Sequence, residues 1–83
     1  MIAKDYAKEI YETFLMFSTN TTIEDRHITA INCCHYLIRS NLQTCIEYDN
    51  NNNLEFSERN YWIDIQSEIN KIDYETKKQL MIL

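Results

Sequence analysis

The most restrictive feature of this sequence is that none of its 83 residues is glycine or proline. A chain of this length and of average composition would contain roughly ten of them together. Their absence removes the residues most used in tight hairpins, helix breaks and phosphate-binding loops. The composition therefore favours helices joined by polar loops, and we predict an all-α protein that forms a single domain over residues 1–83.

An apolar stripe predicts the first helix over residues 2–17. With about 100° between successive residues, one face of this segment is apolar at alternating spacings of four and three residues. The members of this stripe are Ala3, Ala7, Ile10, Phe14 and Phe17. Asp5, Glu9 and Glu12 lie on the opposite face, which we therefore expect to face solvent.

The second helix is predicted over residues 22–42. Thr21, followed three residues later by Glu24, matches a capping box at its start. Its expected core face consists of Ile31, Cys34, Ile38 and Leu42, flanked by Ile28, Ala30 and Leu37.

The third helix is predicted from residue 57 to residue 72 or beyond. Its apolar positions repeat at three, four and three residues, and they are Trp62, Ile65, Ile69 and Ile72, with Tyr61 alongside. The same spacing continues through Thr76, Leu80 and Leu83, which favours one long helix. The alternative is that Asp73 caps a short fourth helix. Together the three segments predict a compact three-helix bundle.

The segment between the second and third helices, residues 43–56, is rich in asparagine. We interpret it as a loop. Apolar residues alternate on both sides of the asparagine run, so a small hairpin over residues 45–56 is the alternative, because asparagine tolerates left-handed conformations better than most residues. A two-stranded hairpin alone has marginal stability, which favours the loop.

The net charge of −5 is unevenly placed along the chain. Residues 40–70 contain six acids and a single base, Arg59. Direct binding to nucleic acid requires a basic surface, so the charge argues against it and favours a basic protein partner. The start of the chain lacks the continuous apolar region of a signal peptide, and the apolar runs are too short to span a membrane. These features predict a cytoplasmic protein that does not contact a membrane.

The adjacent cysteines beside a histidine, in "NCCHYLIR", raise the question of a metal site. Neighbouring residues on a helix point about 100° apart, and ligands on one helix need spacings of three or four residues. No Cys or His here has another at that spacing, so we expect Cys34 to be a core residue and Cys33 to lie at the core boundary. His27 and His35 are expected to be ordinary flanking residues.

Two further patterns argue against cofactors and catalysis. Asp49, Asn51 and Asn53 match the first ligands of a calcium-binding loop, but Leu54 and Asn60 occupy the positions that require Gly and a bidentate Glu. Paired acids in an active site need a cleft that shifts their pKa values, but the carboxylate pairs here, Glu9 with Glu12 and Asp64 with Glu68, fall on faces expected to be in solvent. We therefore expect no metal, no cofactor and no enzymatic activity.

Three segments of the chain together resemble a known group of proteins. "AKEIYETF", "AINCCHYLI" and "NYWIDIQSEINKI", within residues 3–72, resemble small, acidic, all-helical proteins of bacteriophages, most of which have no assigned role. The asparagine-rich central segment departs from the glycine-containing version usual in that group. Some small, acidic, helical phage proteins are anti-CRISPR proteins, which bind RNA-guided nucleases, and this chain is similar to them in size, charge and lack of catalytic residues.

The resemblance and the charge together lead to an expected function. It is that of a phage-encoded, non-catalytic inhibitor in the host cytoplasm that binds a basic, RNA-guided effector nuclease and blocks its guide or target nucleic acid. The alternative is a helical adaptor in phage development with no anti-defence role. The residues expected to contact the partner are the acids and two apolar anchors of the acidic middle: Glu47, Tyr48, Asp49, Glu55, Glu58, Ile63, Asp64 and Glu68.

Overall fold

The computed structural model describes residues 2–19, 22–52 and 57–81. Helix α1 spans Ala3–Phe17, α2 spans Ile23–Asn52 and α3 spans Ser57–Leu80. Each helix packs against both of the others, so the protein is a three-helix bundle, as predicted. Among the described residues, no helix is both long enough and apolar enough to cross a lipid bilayer.

One apolar core lies along the common axis of the three helices. Its buried members are Ala7, Ile10, Tyr11, Ala30, Ile31, Cys34, Ile38, Cys45, Trp62, Ile65 and Ile69. Most of them belong to the stripes predicted from periodicity, because the side chains of a helix that share a face at spacings of three and four residues must be buried together. Partly buried residues, including Phe14, Leu42 and Ile72, surround this core.

The end of α1 differs from the prediction. Phe17 was expected in the core, but it is 71% exposed. It is the last residue of the helix, and the chain leaves the bundle at Ser18, which has an extended backbone. Helical periodicity places Phe17 on the correct face, but among the described residues no neighbouring helix covers that face at the end of the bundle.

The start of α2 is capped by a threonine one residue later than expected. The Asp25 N–H donates a hydrogen bond of 3.1 Å to the Thr22 Oγ1 atom. Thr22 is thus the N-cap and Asp25 the third helical residue, a position where an acidic side chain also favours the positive end of the helix dipole. Thr21 lies outside the described residues.

The predicted loop over residues 43–56 is wrong for its first ten residues, because α2 continues to Asn52. Here polar side chains bond to the preceding turn of the same helix, as Thr44 Oγ1 does to the Ser40 carbonyl at 3.1 Å. Asparagine and threonine are weak helix formers, but without Gly or Pro the cost per residue remains below about 1 kcal/mol. Burial of Cys45 against the core favours continuation of the helix. The hairpin alternative fails over the same residues, and residues 53–56 lie outside the described part.

Helix α3 is unbroken from Ser57 to Leu80, so Asp73 does not start a fourth helix. The helix ends at Met81, which has φ 59° and whose N–H bonds to the Lys78 carbonyl. This left-handed position is usually occupied by glycine. In a chain without glycine a methionine adopts it, at a cost of about 1 kcal/mol.

Candidate functional site

The three helices have very different lengths, and this leaves part of α2 beyond the end of α1. At 1.5 Å per residue, α1 is about 22 Å long and α2 about 45 Å, and the longest dimension of the molecule is 46 Å. Side-chain contacts place α1 beside the first half of α2, through Tyr11 and His27, and beside α3 from Tyr61, which stacks on Tyr6, to Gln79. We give the name two-helix extension to residues 43–52 of α2, which extend past α1, together with residues 57–61 of α3, which follow the connection between the two helices.

The two-helix extension contains several of the residues predicted to contact a partner. Glu47, Tyr48 and Asp49 lie in the last turns of α2, and Glu58 lies in the first turn of α3. The fold thus brings to one end residues that are up to eleven positions apart in sequence. Glu55 lies outside the described residues.

The other predicted contact residues lie further along α3. Ile63 and Asp64 are exposed, in the turn that follows the two-helix extension. Glu68 lies one turn after Asp64 on the same helix, where it is partly buried beside α1 and accepts a 3.0 Å hydrogen bond from Lys71. Seven of the eight predicted residues lie within the described helices.

A polar cluster inside the bundle connects all three helices, and sequence analysis did not find it. His27 of α2 is only 1% exposed. Its Nδ1 atom lies 2.8 Å from the Tyr11 hydroxyl of α1, and its Nε2 atom lies 2.8 Å from the Asp73 Oδ1 atom of α3. The other oxygen of Asp73 pairs with Lys77 at 3.2 Å. His27 was expected to be an ordinary flanking residue, and this expectation is wrong.

The partners of His27 determine which of its ring nitrogens has the proton. A carboxylate only accepts hydrogen bonds, so Nε2–H donates to Asp73 and Nδ1 accepts from the Tyr11 hydroxyl. Burial, the largest effect, raises the pKa of Tyr11. A hydrogen bond with Thr76 lowers it, and interaction with Cys34 and Asp73 raises it further. A phenol is protonated at neutral pH even at its ordinary pKa of about 10, so Tyr11 can act as the donor.

This geometry indicates a structural role for the cluster rather than a catalytic one. A tyrosine nucleophile needs a lowered pKa and access to substrate, whereas Tyr11 is buried and its pKa is raised. Both ring nitrogens of His27 have partners within the protein. His35, the second histidine, likewise bonds to the Gln66 side chain of α3 at 2.8 Å.

The adjacent cysteines have different environments, as predicted. Cys34 is fully buried in the core, and Cys33 is partly exposed on the neighbouring face of α2. Burial, with a smaller contribution from Cys33, raises the pKa of Cys34 to about 12. Cys45 is also buried. Across the described ranges, no three His, Cys, Asp or Glu side chains converge on a point where a metal ion could bind.

We expect an alkylating reagent to modify Cys33 much faster than Cys34 or Cys45 in the folded protein. The thiolate is the reactive form, and both other thiols are buried. Mass spectrometry after brief exposure to iodoacetamide should show one adduct per chain. The Cys33→Ser variant should show almost none until urea is added. Equal labelling of this variant and the parent would mean that Cys34 or Cys45 is accessible.

A groove of about 440 Å³ lies on α2 beside Phe14 of α1. Its walls are Phe14, Cys33, Tyr36 and Leu37 together with the polar residues Thr29, Asn32 and Ser40. Tyr36 is 74% exposed. The groove between α1 and α3 is larger, about 650 Å³, and charged side chains of both signs line it.

Comparison of the chain with models of known protein families, with curated proteins and with solved structures found no match. A function must therefore be argued from the residues and geometry of this chain alone.

Proposed function

We propose that this protein is a non-catalytic inhibitor that binds a basic, nucleic-acid-handling defence nuclease and blocks its guide or target nucleic acid. The observation that carries the proposal is the two-helix extension. It lies at the end of the bundle where α2 and α3 are connected, and it contains three acids, Glu47, Asp49 and Glu58, against the single base Arg59.

The position of the acids on α2 strengthens the argument. The carboxyl end of a helix has a partial negative charge, so cations stabilise it and anions destabilise it by about 0.3–1 kcal/mol each. The last turn of α2 contains Asp49 and no basic residue, and Glu47 lies close to it. Acids at this end are unfavourable for the isolated helix. Lysine and arginine side chains of a partner would offset that cost.

Apolar side chains near the acids in sequence would supply the second requirement of an interface. Charge complementarity sets mainly the association rate, whereas apolar anchors slow dissociation. Ile63 is half exposed on α3, adjacent to the exposed Asp64. We propose Ile63 as one anchor and Tyr48, in the last turns of α2, as the other.

We expect charge reversal in the extension to slow association with the nuclease. The test variant is Glu47→Lys, Asp49→Lys and Glu58→Lys, and the matched control is Glu9→Lys, Glu24→Lys and Glu75→Lys, which has the same net charge. Surface plasmon resonance at two salt concentrations should show slower association and a weaker salt dependence for the test variant only. Equal association rates for the two variants would contradict the electrostatic part of the proposal.

The partner itself must first be captured from host lysate and then assayed for nuclease activity with and without stoichiometric amounts of this protein. Inhibition that saturates at one protein per nuclease supports the proposal. The alternative function, a helical adaptor in phage development, predicts a captured partner with no defence role and no inhibition. The acidic extension favours the inhibitor, because an adaptor has no particular need for an excess of negative charge.

A further inference from the structure

The surface of α2 that faces away from the core contains a long stretch without formal charge. Of all residues in the chain 25% are charged, yet residues 27–38 include no Asp, Glu, Lys or Arg. Ile28, Asn32 and Tyr36 lie on the outward side of this stretch, and all three are exposed. Ile28 is 45% exposed and Tyr36 is 74% exposed. Depletion of charge around exposed apolar side chains is typical of the centre of a protein interface.

Charged residues of opposite sign lie at the two ends of this stretch, and both are exposed. Asp25 precedes Ile28 by three residues, and Arg39 follows Tyr36 by three. With Asn32 between them, the five positions are spaced by three, four, four and three residues. At 100° per residue they fall within an arc of about 80° on one side of the helix. We call these five residues the outer face of α2, and their spacing is the same in both directions from Asn32.

The local charge also differs between the two ends of the outer face. Glu24 and Arg26 adjoin Asp25, so two acids and one base give this end a net charge of −1. Arg39 forms no ion pair within the described part of the chain. The next acid along α2 is Glu47, about 12 Å further along the axis and beyond the screening length of about 8 Å at physiological salt. The outer face therefore has one negative and one positive end.

We propose that the outer face binds the same face of a second copy of this chain, in an antiparallel dimer whose two-fold axis passes beside Asn32. In a two-fold interface, every contact between two different residues occurs twice. Each residue faces the one at the same distance on the other side of Asn32. Arg39 then lies beside Asp25 of the second copy, and Tyr36 packs against its Ile28. The two Asn32 amides meet at the axis, where each can donate a hydrogen bond to the other.

The distribution of charge favours the antiparallel over the parallel arrangement. A parallel pairing in the same register would place Asp25 against Asp25 and Arg39 against Arg39, and like charges in contact are unfavourable. It would also bring the two acidic extensions together. In the antiparallel dimer the extensions point in opposite directions. Glu47 lies about 22 Å from Asn32 along α2, so the two copies of Glu47 are about 45 Å apart, well beyond the screening length. The dimer does not depend on the proposed inhibition of a nuclease.

Sedimentation equilibrium of the full-length protein at several concentrations tests the proposal, and we expect a monomer–dimer equilibrium. Arg39→Asp puts like charges into both ion pairs and should weaken dimerisation at least about tenfold, as should Asp25→Arg. The variant with both substitutions has opposite charges again and should dimerise within about threefold of the parent. Lys78→Asp, at an exposed position of α3, changes the net charge as Arg39→Asp does and should have no effect. Circular dichroism of dilute samples checks that each variant is folded.

A cross-link tests the register without changing any charge. In a Cys33→Ser background, Asn32→Cys puts a thiol beside the two-fold axis, and mild oxidation should give a disulfide-linked dimer. Ser67→Cys in the same background, at an exposed position of α3, should remain monomeric.

Three results would overturn the proposal. The first is a parent protein that is monomeric at about 1 mM, where even weak association is populated; the outer face would then be in solvent or bind a different protein. The second is a dimer that Arg39→Asp leaves unchanged or that the folded double variant fails to restore. The third is a dimer that Asn32→Cys does not cross-link.

Discussion

Replacing Trp62 with alanine should lower the free energy of unfolding by about 3–5 kcal/mol. Trp62 is buried in the core. Its ring packs edge-on against Tyr6 of α1, with centroids 5.9 Å apart, and against its neighbour Tyr61. The substitution removes a large apolar surface and leaves a cavity between α1 and α3. Because Trp62 is the only tryptophan, urea unfolding should be followed by circular dichroism rather than by fluorescence.

Tyr36→Ala is the matched aromatic control. Tyr36 is largely exposed, so its loss should change stability by no more than about 0.5 kcal/mol. If Trp62→Ala does not fold, Ile65→Val provides a smaller perturbation of the same core, with an expected loss of about 0.5–1.5 kcal/mol. Stabilities of Trp62→Ala and Tyr36→Ala that are equal within error would show that the core register is wrong.

Replacing His27 with alanine should cost about 2–4 kcal/mol, since it leaves the Tyr11 hydroxyl and an oxygen of Asp73 without their partner. A buried donor or acceptor that loses its partner costs about 1–3 kcal/mol. The Tyr11 hydroxyl keeps its hydrogen bond with Thr76, and Asp73 keeps its ion pair with Lys77. Because of these remaining partners, the loss of stability should be smaller than the sum of two full penalties. The same urea titration measures it.

A second variant separates lost packing from lost hydrogen bonding. Combining His27→Leu with Tyr11→Phe and Asp73→Leu removes every polar member of the cluster that would be left unpaired. Buried polar groups replaced by apolar groups of similar volume are often tolerated. The triple variant should therefore be more stable than His27→Leu alone. If His27→Leu alone is as stable as the parent, the hydrogen bonds among the three side chains do not contribute to stability as the geometry implies.

Periodicity predicted most of the core, because each turn of a helix adds apolar side chains to the same face, and exposing that face to water would be unfavourable along its whole length. The stripe through Ile31, Cys34 and Ile38 is buried as expected. The same stripe extends to Leu42 and Cys45, so the spacing could have revealed that α2 continues. The asparagine run suggested a loop instead, because asparagine favours turns locally. The absence of Gly and Pro, the residues that most often end a helix, was the better guide.

The polar cluster escaped prediction for a different reason. His27 lies four residues before Ile31, so it falls on the core stripe of α2, and that position is the signal that could have found it. Its partners, however, are on α1 and α3. Spacing within one helix cannot reveal contacts between helices, and a search restricted to positions three or four residues away excluded Tyr11 and Asp73. The contact residues of the two-helix extension were chosen from the excess of acids in the middle of the chain and from apolar residues near them, and their grouping at one end depended on the length of α2.

The short connections between helices have a consequence for the kinetics of folding. Residues 18–22 and 53–56 are the only segments between the three helices, and closing such short loops costs little entropy. Pairing of α2 with α3 can begin beside the connection and proceed towards the opposite end, where His27 and Asp73, 46 residues apart, meet last. Interactions that form after the transition state govern the rate of unfolding rather than that of folding. The polar cluster would then prolong the lifetime of the folded bundle without accelerating its formation.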